Sequence, residues 1–364
     1  MGKIGPGEAA QLADALLAFY DREGRPLPWR GERDLYRIWV SEIMLQQTGV
    51  ATVLRYYPRF LARFPTLQSL AEASEEAVLL LWQGLGYYQR ARHLHRGAQH
   101  LLRQRGGQLP EGIEEWLLLP GVGPSTAAAI LAIGRNQPHA ILDGNVKRVL
   151  ARLLALPDPL SSGVAQKALW ALARSLTPDH RPGDYAQAIM DLGATLCRRS
   201  QPLCGRCPWQ GSCQAHRLGA VGRYPVVTPR PVKPHRQQVA LLVFNAQRQL
   251  LFCQRPARGL LANLWEPPTL EWGSEDALPP EPSVVARQLF DRLHVRTSLP
   301  LPLAEVKHTF THFQLTVYPF VCQLATEWEG GGGEGYQAMR WVAREAWQLL
   351  PLATLHRKVL ATLF

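Results

Sequence analysis

Four of the six cysteines in this 364-residue chain stand within one 17-residue segment, and no other feature constrains the local fold as strongly. Cys197, Cys204, Cys207 and Cys213 follow the spacing C-x6-C-x2-C-x5-C. Four thiolates in one short segment suit either a tetrahedral zinc ion or a 4Fe–4S cluster. Zinc ribbons usually present two C-x-x-C pairs, and this segment has one, so its spacing favours iron–sulfur.

Charge and composition narrow the choice of partner. Hydrophobic residues make up 46% of the chain, which excludes a disordered protein. Lys and Arg number 40 against 29 Asp and Glu, and the resulting net charge of +11 favours a polyanion, with nucleic acid first. No segment approaches the ~20 apolar residues of a membrane span, so no membrane partner is expected. Leu12–Tyr20 lacks a basic lead-in and a cleavage site, which predicts an intracellular protein.

A proline-rich stretch separates two kinds of sequence. Residues 1–221 show apolar positions at helical spacing and predict a mostly α domain. Residues 222–236 contain four prolines and several basic side chains, which is typical of an extended linker. Residues 237–364 predict a separate α+β domain. Its expected elements are hairpin strands at Gln238–Phe244 and Gln249–Phe252, a strand at Gln314–Cys322, and helices at Ala286–Leu293 and Pro351–Phe364.

A glycine turn between two helical segments predicts a helix-hairpin-helix at about residues 114–133. The turn reads LPGVG at Leu119–Gly123 and is followed by Pro124, Ser125 and a small-residue helix. Glycines permit turn geometry that other residues avoid, and the backbone N–H groups that begin the second helix can bind a phosphate. An ordinary glycine turn between helices remains the alternative. The positive net charge favours DNA.

Two carboxylates stand in apolar surroundings. Glu42 lies in a helix that is hydrophobic almost all round, where burial would raise its pKa and let it act as a general acid. Asp143 precedes the predicted helix Val146–Leu154, whose dipole and free amides favour an ionised carboxylate. Opposite pKa shifts suit cleavage of a glycosidic bond, with one group donating a proton and the other stabilising a cation. Alternatively, Asp143 only caps its helix and Glu42 only pairs with Arg30 or Arg37.

Several motifs occur together in one order: SEIMLQQT, GLGYYQRARHL, LPGVG, ILDGNVKRVLAR and the cysteine spacing. Together they resemble the adenine DNA glycosylases of the MutY type, within the wider endonuclease III group. The resemblance implies a helix-hairpin-helix glycosylase domain with one 4Fe–4S cluster, followed by a Nudix-like α+β domain. It implies excision of adenine opposite 8-oxoguanine or guanine in double-stranded DNA. A monomer in the bacterial cytoplasm, associated with the nucleoid through DNA, is expected.

The resemblance also assigns roles to residues. Glu42 matches the acid that protonates adenine and activates water, and Asp143 matches the stabiliser of the sugar cation. The adenine pocket is implied at Trp29, Arg30, Leu45, Gln187 and Met190, and the DNA wedge and lesion contacts at Gln47, Thr48, Leu85, Tyr87, Thr311 and His312. Contacts to the DNA backbone are expected at Gly121, Gly123, Ser125 and Lys147. Tyr87, Tyr88 and Trp82 could alternatively be aromatic core.

Three positions depart from their relatives. Relatives that cut the strand carry a lysine where this chain has Ser125, and a hydroxyl cannot form their Schiff base. Lys147 is not expected to replace that lysine, because it lies one helical turn beyond Asp143 and is expected at a phosphate. Gln187 stands where some members have an acidic residue, and Thr311 stands where serine is common. The sequence therefore predicts a monofunctional glycosylase.

The C-terminal domain resembles the Nudix fold, most clearly at Gly259–Pro267. Its helix Ala286–Arg292 has a single carboxylate, Asp291, whereas Nudix hydrolases need several to bind Mg²⁺. A Nudix pyrophosphohydrolase is thus disfavoured, as is a strand-cutting lyase. A non-enzymatic iron–sulfur DNA sensor would leave Glu42 and Asp143 without a role.

Overall fold

The structure is a computed structural model that describes residues 4–228, 231–273, 279–326 and 335–364. It divides into two compact units. The first comprises Met1–Glu72 and His93–Arg230, and the second comprises Ala73–Arg92 and Pro231–Phe364. Residues 73–92 come early in the chain but group with the strand-rich region, which the predicted boundary at residue 221 does not allow for.

The helices alternate with short turns along most of the chain. In chain order they are α1 (Pro6–Glu23), α2 (Leu35–Leu45), α3 (Val50–Arg63), α4 (Leu67–Ala71), α5 (Glu75–Trp82), α6 (Gln89–Arg105), α7 (Ile113–Leu117), α8 (Pro124–Arg135), α9 (Gly144–Leu154), α10 (Gly163–Leu176), α11 (Pro182–Thr195), α12 (Gln214–Arg217), α13 (Pro282–Leu293) and α14 (Thr354–Ala361). The first unit is helical, as predicted. Within the described residues, no helix has both the length and the apolar character to cross a membrane.

Close helix packing builds the core of the first unit. A Cβ atom at Gly134 would lie 2.4 Å from the Leu35 side chain, so this glycine lets α8 approach α2. Trp39 of α2 is fully buried and meets the Trp116 ring edge-to-face at 5.4 Å. Helix α11 packs against α1, α8 and α9. These contacts fix α2, α9 and α11, the helices that carry most of the candidate site.

The described strands of the second unit form one mixed sheet. They are β1 (His235–Phe244), β2 (Leu250–Gln254), β3 (Trp265–Glu266), β4 (Thr269–Trp272), β5 (Leu301–Pro302), β6 (Val306–Thr309), β7 (Gln314–Gln323) and β8 (Ala338–Val342). The main order is β3-β2-β1-β7-β5, with β4, β6 and β8 paired to β1, β7 and β2. The predicted β1–β2 hairpin is confirmed, because Phe244 pairs antiparallel with Leu250. β1 and β7 run parallel.

The central strand β1 buries both of its faces. Val239, Leu241 and Val243 pack in the cluster that includes residues of α13. Ala240 and Leu242 alternate with them and pack in the cluster that includes residues of α14. This period of two places one helix on each side of the sheet. The predicted α+β fold of this region is therefore confirmed.

The predicted linker differs from the structure at both ends. Strand β1 begins at His235, inside the range predicted as linker, because its backbone pairs with β7 from that residue onward. Val221–Arg223 form a 3-10 turn, and Arg152 Nε donates a 2.9 Å hydrogen bond to the Tyr224 carbonyl. Composition indicates where packing is weak, but it does not show which backbone groups find partners.

Candidate active site

One cavity in the first unit brings the two candidate catalytic carboxylates together. It has a volume of about 370 Å³, and Glu42 and Asp143 both line it. The predicted adenine-pocket residues line it as well: Trp29, Arg30, Leu45, Gln187 and Met190. A second cavity of about 310 Å³ shares both carboxylates and is also lined by Gln47 and Ser125. Residues that are far apart in sequence thus converge on one space.

Glu42 is the acidic group of a nearly apolar helix. Helix α2 buries eight of its 11 residues, and Glu42 opens into the cavity beside them. Burial raises the pKa of Glu42 to about 7, with Asp143 adding to the rise and the guanidinium of Arg30 opposing it. The predicted rise in pKa is confirmed. A carboxyl group with this pKa is protonated to a large extent at neutral pH and is poised to donate a proton.

Asp143 caps the N-terminus of α9, as the sequence indicates. Its carboxylate accepts a 2.7 Å hydrogen bond from the backbone N–H of Val146. The helix start is expected to lower the pKa of Asp143, and the net shift is in the opposite direction. Burial beside the cavity raises the pKa of Asp143, and the amides of Val146 and Asn145 offset this only in part. The cap and the cavity position coexist, so capping does not exclude a chemical role.

An unpredicted carboxylate organises the arginines of the cavity. Asp191 Oδ1 lies 2.6 Å from Arg30 Nη2 and 2.6 Å from Arg25 Nη2. Arg37 pairs instead with Glu32 at 3.4 Å. The alternative that Glu42 is the ion-pair partner of Arg30 or Arg37 is therefore wrong. A signal was present, because Asp191 interrupts an apolar helical run much as Glu42 does.

Asn145 and Arg148 are further members of the cavity wall that sequence reasoning missed. Arg148 Nη2 donates to Asn145 Oδ1 at 2.9 Å, and Arg148 Nε donates to the Cys197 carbonyl at 2.9 Å. Within their motif, DGNVKR, the sequence indicates roles only for Asp143 and Lys147. Nothing in their spacing distinguishes a cavity-facing amide or guanidinium from an exposed one.

The helix-hairpin-helix joins α7 to α8. Gly121 has φ +76°, and a Cβ atom there would lie 2.9 Å from the His93 ring, so this position requires glycine. Gly123 has φ −94° and open space around it, so the expectation of special turn geometry is wrong there. Ser125 Oγ accepts a 3.0 Å hydrogen bond from the Leu142 N–H. Lys147 lies in the first turns of α9.

The candidate wedge residues have strained backbones. Gln47 has φ +57° and Tyr87 has φ +48°, and both side chains are exposed. Positive φ is uncommon for such residues and is often found at functional sites. Thr48 lines the 370 Å³ cavity, whereas Leu85 is buried. The aromatic-core alternative holds for Trp82 and Tyr88, which are buried, and is wrong for the exposed Tyr87.

A second candidate surface lies within the second unit. Thr311 and His312 are exposed at the turn between β6 and β7. The Tyr87 hydroxyl lies 3.3 Å from Thr311 Oγ1, and all three side chains line a cavity of about 420 Å³. Phe310 and Phe313 flank this turn on either side in the sequence, and their rings stack with centroids 4.7 Å apart. The structure therefore brings one candidate wedge residue, Tyr87, together with both candidate lesion contacts, Thr311 and His312.

The four clustered cysteines interact with one another. Burial and the neighbouring thiols raise the pKa of Cys204, of Cys207 to about 12, and of Cys213. Arg152 Nη1 lies 3.4 Å from Cys197 Sγ. Among the described residues, no three His, Cys, Asp or Glu side chains are placed to hold a single metal ion. This does not test a 4Fe–4S cube, whose irons each bind a different cysteine.

The acidic groups of the second unit do not gather on α13. That helix has Asp291 as its carboxylate. Glu266 of β3 is 1% exposed and lies 2.8 Å from Arg255 and 3.1 Å from His356. His356 and Arg255 lower the pKa of Glu266 despite its burial. Glu266 is therefore engaged in the core.

Known DNA repair proteins resemble this chain in sequence and fold. Residues 40–174 match the HhH-GPD superfamily of base excision DNA repair proteins, and residues 239–362 match the NUDIX domain family. A thermostable thymine-DNA glycosylase superimposes with a TM-score of 0.51 at 28% identity, over 57% of this chain and 95% of that one. An endonuclease III–DNA complex does so at 0.51 and 18% identity, over 60% and 99%, which supports the fold alone. The fold and site thus define a helix-hairpin-helix base excision repair enzyme joined to a NUDIX domain.

Curated adenine DNA glycosylases match most of the chain. The Homo sapiens enzyme is 37% identical over 97% of this chain and 74% of its own length. The enzyme of Schizosaccharomyces pombe is 37% identical over 74% and 71%, and that of Buchnera aphidicola subsp. Schizaphis graminum is 31% identical over 86% and 88%. The chain belongs to the family of adenine DNA glycosylases, hydrolases of N-glycosyl bonds in base excision repair.

Proposed function

We propose that this enzyme excises adenine paired with 8-oxoguanine or guanine in double-stranded DNA and leaves the strand uncut. The observation that carries the proposal is the cavity of about 370 Å³, in which Glu42, with a pKa of about 7, faces Asp143. The five residues that match the family's adenine pocket line the same space. One chain carries every assigned role, so we propose that it acts as a monomer.

Glu42 is the proposed proton donor. Protonation of the extrahelical adenine weakens its glycosidic bond, and the bonding electrons leave with the base. The sugar then carries positive charge, which the Asp143 carboxylate stabilises at short range. Glu42, now ionised, takes a proton from the attacking water. Extraction of adenine costs roughly a few kcal/mol of unstacking, which wedge residues offset by filling the gap.

Ser125 supports a glycosylase without strand cleavage. A strand-cutting lyase forms an imine between an amine and the sugar, and a hydroxyl cannot do so. Ser125 occupies the sequence position at which strand-cutting relatives carry a lysine. It lines the cavity of about 310 Å³, as Asp143 does. Incubation without alkali should therefore leave the product strand intact, and abundant borohydride-trapped protein–DNA complex would contradict this.

The proposed DNA-backbone contacts lie on two helix starts. Gly121, Gly123 and Ser125 surround the start of α8, whose free amides favour an anion. Lys147 adds positive charge near the start of α9. The net charge of +11 supports a duplex partner bound through its phosphates.

One 4Fe–4S cluster is the proposed cofactor, held by Cys197, Cys204, Cys207 and Cys213. Four soft cysteine sulfurs that lie close enough to influence one another suit this group. The bound cluster would supply a cross-link that orders the loop and its arginines. Four cysteine ligands would leave no open coordination position on the cluster, so no catalytic step is assigned to it. Purified protein should contain about four irons per chain, and stoichiometric zinc without iron after anaerobic preparation would contradict the assignment.

The base opposite adenine is proposed to be read outside the adenine cavity, because adenine itself is a normal base. In the second unit the proposed contacts are Leu85, Tyr87 and the Thr311–His312 turn. In the first unit they are Gln47 and Thr48, of which Thr48 also lines the adenine cavity. The exposed hydroxyls of Tyr87 and Thr311 support this role, since they are accessible to a hydrogen-bonding base edge. Threonine retains the hydroxyl of the serine that is common there.

The proposal is tested with duplexes that contain adenine opposite 8-oxoguanine, guanine or thymine. After incubation, alkali converts abasic sites into strand breaks that a gel resolves. We expect rapid excision opposite 8-oxoguanine, slower excision opposite guanine and little opposite thymine. Equal excision from all three duplexes would contradict the proposed specificity, and no excision would contradict the proposed reaction.

A further inference from the structure

Asp191 is a deeply buried carboxylate behind the wall of the catalytic cavity. Its side chain is 1% exposed, and Arg25 donates to it from the backbone N at 3.2 Å and from Nε at 2.9 Å. Arg30 Nη2 donates to the same carboxylate at 2.6 Å. A charge this far from water is stable only with charged, hydrogen-bonded partners. Asp191 is not among the described residues that line the cavity, whereas both arginines are.

We infer that Asp191 is a positioning residue for adenine excision: it anchors Arg25 and Arg30 at the cavity wall and cancels part of their charge. The inference rests on the proposed role of Glu42 as the acid. Arg30 has a second support, since its guanidinium lies 5.5 Å from the centre of the Tyr20 ring and 3.3 Å from the hydroxyl. Tyr20 is neutral, so Asp191 supplies the negative charge in this arrangement.

One member of this group, Arg30, acts on the charge of Glu42. Two guanidinium groups and one carboxylate carry 2 − 1 = +1, and loss of the carboxylate charge would leave +2. Arg30 is the group that opposes the raised pKa of Glu42. A more positive wall would stabilise the Glu42 carboxylate and lower the pKa of Glu42. The proton donor would then be scarcer at neutral and alkaline pH.

The other charged groups around this site would stay the same in such an experiment. Asp143 faces Glu42, Arg148 faces Asp143, and Tyr20 faces Asp191 with Asp184 nearby. Arg198 and Arg199 complete the charged lining of the cavity. A substitution at Asp191 changes one charge while these keep theirs, so a shift in the pH profile can be assigned to the group of Asp191, Arg25 and Arg30.

The test measures single-turnover adenine excision against pH, from about pH 5.5 to about pH 9. Asp191→Asn keeps the shape and removes the charge. We expect its alkaline limb to move down by about one pH unit, which makes excision near pH 8 roughly tenfold slower and leaves the acidic plateau within a few-fold. Asp191→Glu, the conservative variant, should restore the native limb.

Arg25→Gln is the matched variant of opposite sign. It removes a positive charge from the same group, so its alkaline limb should move to higher pH even if the overall rate falls. A general loss of packing would not shift the two profiles in opposite directions. If Asp191→Asn fails to fold, as judged by circular dichroism, the upward shift of Arg25→Gln still decides the inference, and its absence would overturn it.

Glu42→Gln in the same assay distinguishes failure of the proposed acid, Glu42, from failure of the role inferred for Asp191. If that variant keeps near-native excision, the proposed acid is wrong and the inference about Asp191 fails with it. If Glu42→Gln is inactive while Asp191→Asn retains the native pH profile, the role of Glu42 stands and the inference about Asp191 alone is overturned.

Discussion

The cavity of the first unit and the cavity of the second unit are built from different chemistry. The first, of about 370 Å³, is lined by carboxylates and guanidinium groups, and ion pairs of 2.6 Å to Asp191 hold two of its arginines, Arg25 and Arg30. The second, of about 420 Å³, is lined by the exposed Thr311 and His312 and by the strained Tyr87. Its hydroxyl contact, between Tyr87 and Thr311, is 3.3 Å long.

The difference fits the two tasks proposed for these cavities, catalysis and recognition of the opposite base. A carboxyl group donates a proton near neutral pH only when burial raises its pKa, and burial demands fixed, compensated neighbours. Hydrogen bonds that read a base edge require the reverse, groups that DNA can reach. Thr311 and His312 form the proposed reading surface. Tyr87, a candidate wedge residue, belongs to the same unit as this surface. Chemistry and discrimination should therefore be separable by substitution.

The largest expected effect comes from removal of either cavity carboxylate. Glu42→Gln and Asp143→Asn should each slow single-turnover excision by about 10²–10⁴-fold, because proton donation or cation stabilisation is lost. Duplex binding, measured by fluorescence anisotropy, should persist, since phosphate contacts remain. Near-native excision by either variant would break the assignment of chemistry to this cavity.

A smaller effect is expected from the reading surface. Thr311→Ala combined with His312→Ala should reduce the preference for 8-oxoguanine over guanine by about 10- to 100-fold, at roughly 1–3 kcal/mol for a good base contact. Excision opposite guanine should stay near native. Thr311→Ser, which retains the hydroxyl, is the matched control and should keep the preference. Unchanged discrimination in the double variant would transfer lesion reading to Gln47 and Thr48.

The pH dependence sharpens the comparison further. Glu42 acts in its protonated form, and its pKa is about 7, so excision should fall as pH rises through 7. The decline should approach about tenfold per unit at higher pH. The ratio of rates opposite 8-oxoguanine and guanine should change little, because excision from both duplexes depends on the same proton donor. An excision rate that is flat from about pH 6 to about pH 9 would argue against a Glu42 proton donor.

The smallest expected effect tests the contact between Tyr87 and Thr311. Tyr87→Phe keeps the ring and removes the hydroxyl, so the preference for 8-oxoguanine should fall by about 2- to 5-fold, as for one exposed hydrogen bond. Excision opposite guanine should remain within experimental error. A loss as large as that of the double variant would show that the hydroxyl, and not the turn, dominates recognition.

Local patterns in the sequence are sufficient for much of the fold. Helical spacing predicts the first unit, and the alternation of Val239 to Val243 predicts a strand buried on both faces. The short strands β3, β4, β5 and β6 are not predictable in this way, since two to four residues carry too little periodicity to be distinguished from loops. No local pattern in the sequence predicts that residues 73–92 group with the second unit.

The sequence by itself determined the kinds of chemistry available: a carboxylate in an apolar helix, a capping aspartate, four clustered thiols and a serine where a lysine would cut the strand. Only the tertiary structure decided which charges meet. Asp191 pairs with Arg25 and Arg30 across more than 160 residues of chain, and burial raises the pKa of Asp143 despite its helix position. Desolvation and ion pairing depend on every element around a side chain, and neighbours in sequence specify only a few of them.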